Sequence, residues 1–191
     1  MEDAIRKRFQ ESIETARGTQ QRLAGQIAQA VGIIVAAYKA GRSVYVFGNG
    51  GSAADAQHIA CELVGRFLSN RRALDARALA SDGAVLTCLG NDFDFQSVFA
   101  RQVEAHGRPG DVAIGLSTSG DSANVVAALA TARQRGMKTI AFTGRSGGRC
   151  AALADVLLNV PSDSTPRVQE SHAIIYHVIC ELVEAAFAEG S

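Results

Sequence analysis

Short, continuous apolar runs separated by helix-length segments constrain this chain more than any other feature. The clearest are residues 43–47 (SVYVF), 112–116 (VAIGL), 139–142 (TIAF) and 156–160 (VLLNV), with 75–80 a weaker candidate. Runs this short and this apolar read as strands buried on both faces. The spacers between them are too long for hairpins, so the strands pair in parallel through helical crossovers. The expectation is an α/β, doubly wound, mostly parallel sheet of about five strands flanked by helices, with flavodoxin-like winding. In such sheets ligands bind beyond the carboxyl ends of the strands.

The helical segments frame that sheet. Residues 3–39 read as one long amphipathic helix, because Ile5, Phe9, Ile13, Leu23, Ile27, Val31, Ile34 and Tyr38 recur at helical steps and Gly41 follows as a stop signal. Further helices are expected over 50–65 after a glycine-rich turn, over 82–90 with Asp82 or Ser81 as N-cap, over 95–105, over 124–135 closed by Gly136, and over 165–189. Residues 1–191 read as a single domain: a helical segment over 1–40, then an α/β core with its C-terminal helix over 41–191. The two long terminal helices carry more apolar face than one small domain covers, which points to a subunit interface.

Composition removes several function classes. The chain has 19 basic and 19 acidic residues and no net charge, which argues against a nucleic-acid partner. Its start, Met1 to Lys7, is charged and lacks a secretory apolar core. The apolar stretch 30–38 is too short to span a bilayer, so no membrane is expected. Cys61, Cys88, Cys150 and Cys180 are widely spaced without a CxxC pair. They read as reduced, mostly buried thiols of a cytoplasmic protein.

Two loops at strand ends carry polar chemistry. Gly48-Asn49-Gly50-Gly51-Ser52 follows the first strand and opens a helix, where free amides and close backbone approach suit an anion or sugar oxygens. Gly48, Gly50 and Ala53 also match a dinucleotide fingerprint, and a plain strand-to-helix turn would look the same. Ser117-Thr118-Ser119-Gly120-Asp121-Ser122 is sharper. It offers four hydroxyls with helix-start amides and no cation, a neutral phosphate cradle. Capping alone would need one hydroxyl.

Two helical clusters could act beside these loops. His58 and Glu62 stand at i and i+4 and share one face. Gln169 and His177 are eight residues apart, so they diverge by roughly 80° after two turns and can face one cavity. Two imidazoles, a carboxylate and an amide oxygen could hold a divalent metal such as zinc, and they include proton-transfer groups. The bland alternative for His58 and Glu62 is a surface ion pair. His172 reads as a supporting or structural histidine and His106 as loop. Asn91 and Asp92 could be a helix end and turn.

With these residues in view, the chain closely resembles the phosphoheptose isomerase family of SIS-domain (sugar isomerase) proteins over essentially its whole length. The residues carrying the likeness are Gly48 to Ser52, His58 and Glu62, Gly90-Asn91-Asp92-Phe93, Ser117 to Ser122, and Arg167 to His172 leading to His177. The resemblance implies conversion of sedoheptulose 7-phosphate to D-glycero-D-manno-heptose 7-phosphate through an enediol. This is the first step toward nucleotide-activated heptose for lipopolysaccharide and related surface polysaccharide. It implies Glu62 as base and His177 as acid partner, and one zinc per subunit held by His58, Glu62, Gln169 and His177. It implies substrate contacts from Asn49, Gly50, Gly51, Ser52, Glu62, Asn91, Asp92, Ser117, Thr118, Ser119, Ser122 and Gln169. It also implies a homotetramer with sites at subunit boundaries. Asp121 departs from the family, which often has Asn there; it is tolerable only if it caps a helix and points away from the phosphate. The rival readings are a non-catalytic SIS adaptor that binds the replication-initiator protein, a sugar-phosphate-sensing regulatory domain, and a nicotinamide-dependent enzyme. Retention of both Glu62 and His177 favours the isomerase over the adaptor.

Overall fold

The computed structural model describes residues 1–188. In chain order the elements are α1 (Glu2–Lys39), β1 (Val44–Gly48), α2 (Gly51–Val64), β2 (Ala76–Ala78), α3 (Gly83–Asp92), α4 (Ala100–His106), β3 (Val112–Ser117), α5 (Ala123–Gln134), β4 (Lys138–Gly144), a 3₁₀ turn (Gly148–Leu153), β5 (Val156–Val160) and α6 (Thr165–Ala185). The five strands form one sheet in the order β2-β1-β3-β4-β5, and every pairing is parallel. The doubly wound sheet expected from the apolar runs is therefore present.

Burial on both faces follows from alternation along each strand. In β1, Val44 and Val46 enter one core, while Tyr45 and Phe47 enter the other. The first core receives Ile34 of α1, Ile59 and Leu63 of α2, and Val168, Ile175 and Ile179 of α6. The second receives Val103 of α4 and Val125 and Leu129 of α5. Between β1 and β3 the winding reverses, with Gly48 paired to Leu116, so the loops leaving these strands open side by side.

Two boundaries differ from the sequence expectation, and a third, left between two residues, is decided. The helix expected over 95–105 is a set of turns followed by α4, which begins at Ala100. Asp94 ends the early start: its carboxylate and carbonyl accept from the Ser97 amide and hydroxyl at 2.7 and 3.0 Å. The C-terminal helix stops at Ala185, and residue 189 of the expected span lies outside the described residues. Asp82, rather than Ser81, caps α3, accepting from the Val85 amide at 3.0 Å.

α1 is 38 residues, about 57 Å at 1.5 Å per residue, and its early turns extend past the core. Ile5, Phe9 and Ile13 there are 51%, 68% and 44% exposed, although their spacing matches the buried stripe that begins at Thr19. Ile174, Val178 and Leu182 of α6 are also exposed, and the two helices flank an apolar groove of about 600 Å³.

Candidate active site

The serine loop leaves β3 at the point where the winding reverses. Ser117 is buried, and its hydroxyl sits 2.9 Å from that of Ser122 and 3.3 Å from that of Ser119. The Ser119 hydroxyl accepts from the Asp121 amide at 3.1 Å, and the Ser122 amide reaches Ser117 at 3.4 Å. Gly120 makes this curl possible at φ +72°; a Cβ there would lie 2.0 Å from the Gly147 carbonyl oxygen. The hydroxyls thus encircle the start of α5, where helix-end amides favour an anion.

A polar cavity of about 380 Å³ opens beside the loop, lined by Thr118, Ser119, Asp121, Arg145, Ser146 and Asp163 among others. The sequence assigned this loop no cation, yet Arg145 reaches the same cavity from the turn after β4. Its guanidinium is shared with Asp163 at 2.8 Å. Asp121 lines the same cavity, and its carboxylate is engaged by the neighbouring turn. Its carboxylate accepts from the Arg149 amide at 2.9 Å, capping the 3₁₀ turn, and lies 3.4 Å from the Arg149 guanidinium. The capping role is thus present, on the 3₁₀ turn rather than on α5.

The glycine loop after β1 adjoins the serine loop through a reciprocal amide pair. Asn49 and Asn124 exchange two hydrogen bonds of 2.8 Å, each donating to the other. Sequence reading treats Asn49 as a sugar contact and overlooks Asn124, whose partner lies 75 positions away. Ser52 is buried at the start of α2. Gly51 passes directly under Gln169: a Cβ there would meet the Gln169 amide nitrogen at 2.8 Å.

His58, Glu62 and His177 meet where α2 faces α6. His58 Nε2 is 3.0 Å from Glu62 Oε1, and its Nδ1 is 3.1 Å from the Tyr176 hydroxyl. The two ring nitrogens of His58 thus bridge Glu62 and Tyr176, and the Tyr176 hydroxyl also hydrogen-bonds Asp55. The His177 ring lies 5.1 Å from that of His58, edge to face, and Phe67 stacks on His177 at 5.7 Å. Burial, with the nearby negative charge of Asp55 and Glu62, pushes the Tyr176 hydroxyl up to about 12, so it stays protonated. Burial also raises Asp55. Tyr176 and Asp55 escaped sequence reading, since neither stands in a motif.

The seam holds nitrogen and oxygen donors of the kind zinc accepts. In the described residues, however, no three His, Cys, Asp or Glu side chains assemble as a metal cluster. His58 and Glu62 point at each other, and the donor set fits zinc in kind rather than in present arrangement.

Two other expectations have different outcomes. His172 is fully buried; Nε2 donates to the Thr143 carbonyl at 3.1 Å, and burial lowers its pKa to about 4. It is a structural histidine. Asn91 and Asp92 lie exposed at the end of α3, bonded to each other at 2.7 Å, with Cys88 3.5 Å from Asp92. No hydrogen bond among the described residues joins them to the serine loop or the seam.

A parallel sheet wound in this order places both polar loops at the reversal, where open α/β sheets bind ligands. Residues 8–144 match the SIS domain family, and the chain is a SIS-domain protein. It is 52% identical over 191 residues to the phosphoheptose isomerase of Aquifex aeolicus, covering 100% of both chains, and 51% identical over 180 residues to that of Citrifermentans bemidjiense, covering 94% of both. The structure of phosphoheptose isomerase from Neisseria gonorrhoeae superposes with a TM-score of 0.92 at 42% identity, covering 96% of this chain and 98% of that one. Within the SIS-domain proteins the chain belongs to the phosphoheptose isomerases.

Proposed function

We infer that this chain is an aldose–ketose isomerase that converts sedoheptulose 7-phosphate to D-glycero-D-manno-heptose 7-phosphate, supplying heptose biosynthesis. The observation that carries this reading is a carboxylate and an imidazole, Glu62 and His177, on facing helices of a domain whose reversal point bears the serine loop. The hydroxyls of Ser117, Thr118, Ser119 and Ser122 and the amides opening α5 bind the phosphate. Gly50, Gly51, Ser52 and Gln169 meet the sugar from the neighbouring loop and α6. Asn49 joins them on exchanging Asn124 for a sugar hydroxyl.

Glu62 removes the proton from C1 of the ketose as the C2 oxygen is protonated, giving the enediol; O1 then gives up its proton as C2 takes one, with His177 the acid–base partner that moves a proton between the two oxygens. His58, Glu62, Gln169 and His177 would hold one zinc per subunit, which when bound supplies Lewis-acid polarisation of the carbonyl. Glu62 cannot serve at full strength as base while spent on a cation. Its hydrogen bond to His58 supports a carboxylate that exchanges partners during turnover. No observation favours the non-catalytic adaptor.

The unit is a homotetramer in this reading, supported by the exposed apolar stripes of α1 and α6. Asn91 and Asp92, exposed on α3, are free to serve a neighbouring copy's site. No helix among the described residues is long and apolar enough to cross a membrane. A cytoplasmic location suits an enzyme acting on a phosphorylated sugar. Aldose formation from sedoheptulose 7-phosphate, measured on metal-free protein and again with zinc restored, tests the reading. Turnover only with zinc supports isomerase and metal together. Equal turnover in both removes the metal from the chemistry, and none in either removes the isomerase. Full turnover by a demonstrated monomer would remove the shared site.

A further inference from the structure

Glu184 is a buried carboxylate that the proposed chemistry does not use. It lies on α6 seven residues beyond His177, about 20° round the same face. It is 3% exposed, yet it accepts three backbone hydrogen bonds of 2.6 Å, from Phe67, Leu68 and Ser69. Arg71 stands 3.4 Å away, its side chain only 1% exposed. The Arg71 guanidinium donates in turn to the carbonyls of Glu62 at 2.6 Å and of Gly65 and Arg72 at 3.0 Å. The first two of those carbonyls belong to the end of α2, where helical partners run out.

Both members of the acid–base pair hang on this one ion pair. Arg71 holds the backbone of Glu62. Glu184 holds the amide of Phe67, whose ring stacks on His177 at 5.7 Å. Burying a carboxylate and a guanidinium costs free energy, offset here by three amide and three carbonyl hydrogen bonds and the facing charge, although Arg71 Nε itself makes no hydrogen bond among the described residues. A surface loop needs no such device merely to close. We propose that Glu184 and Arg71 are positioning residues that fix the distance between Glu62 and His177. This rests on the isomerase reading, in which those two move the protons.

The test is Glu184→Gln, which keeps shape and removes charge, with activity normalised to folded protein. The expected result is a fall in kcat of about tenfold or more, since small misplacements of reacting groups are costly. KM for sedoheptulose 7-phosphate should stay within about threefold, because the serine loop is untouched. Phe67→Leu leaves the ion pair in place and should show the same split, which keeps the test open if Glu184→Gln does not fold. Wild-type kcat in either folded variant, or a loss confined to KM, overturns the proposal. A readout independent of turnover separates it from the isomerase reading. The His177 imidazole resonances should shift in Glu184→Gln while those of His106, at the opposite end of the sheet, stay put; an unmoved His177 overturns the positioning role whatever the protein's substrate.

Discussion

The serine loop and the α2/α6 seam are built on opposite plans. Ser117, Ser119 and Ser122 lie within six residues and hydrogen-bond one another, so the loop carries most of its own scaffold. In the seam, His58 meets Tyr176 across 118 positions, and Phe67 meets Glu184 across 117. A local cradle is fixed by its turn and shares its load among several hydroxyls. A non-local seam depends on two helices keeping register and has one group for each task. Losses in the seam should therefore be steep and losses in the loop graded.

The steepest is Glu62→Gln. The amide cannot take a proton from C1, so turnover should drop by about 10²- to 10⁴-fold, the usual contribution of a positioned base. Sugar-phosphate binding, read by calorimetry, should persist because the loop remains whole. Unchanged turnover removes Glu62 as base. Next comes Gly120→Ala, where the loop's one indispensable position is struck. A Cβ would stand 2.0 Å from the Gly147 oxygen at a backbone φ of +72°, so unfolding free energy should fall by at least about 3 kcal/mol in urea. Gly51→Ala makes the contrast: its Cβ would meet only the end of Gln169 at 2.8 Å, so Gln169 should swing aside and activity, not stability, should suffer.

His172 sharpens the comparison from beneath the seam. Burial lowers its pKa from 6.5 to about 4, so the folded protein holds it neutral where the unfolded chain takes up a proton. Its contribution is complete above pH 6.5 and is lost as the pH falls toward 4. From pH 7 to pH 5 the stability advantage of the wild type over His172→Gln should shrink by about 2 kcal/mol, measured by urea unfolding at each pH. A constant difference would mean that His172 takes up its proton over the same pH range in the fold as in the unfolded chain.

The same contrast governs what could be read from sequence. The apolar runs announced β1, β3, β4 and β5 because a strand covered on both faces must be apolar throughout. The serine loop announced itself because its chemistry is contiguous. His58 and Glu62 were legible as an i,i+4 pair, whereas Tyr176 and Asp55 were not, since a buried tyrosine and an isolated aspartate look the same in many settings. Asn124 was invisible because its reason for being there is Asn49. Arg71 and Glu184 appeared as ordinary charges, and only burial marks them. The 95–105 segment misled because its apolar residues fit a helix, while Asp94 and Ser97 close a local turn that competes with one.

The smallest effect separates the two plans most finely. The Ser119 hydroxyl spends one lone pair on the Asp121 amide at 3.1 Å and lies 3.3 Å from Ser117. In Ser119→Ala the Asp121 amide is exposed and turns to water, and one phosphate hydrogen bond is lost, worth about 1 kcal/mol. KM should rise about threefold to tenfold with kcat nearly unchanged. Ser117→Ala should cost more, because Ser117 is 4% exposed and organises both Ser119 and Ser122. If the two substitutions act on one shared cradle, the double variant should lose less than the product of the single losses. A fully multiplicative loss would mean that the hydroxyls bind separately, and the loop would then be no more cooperative than a row of independent donors.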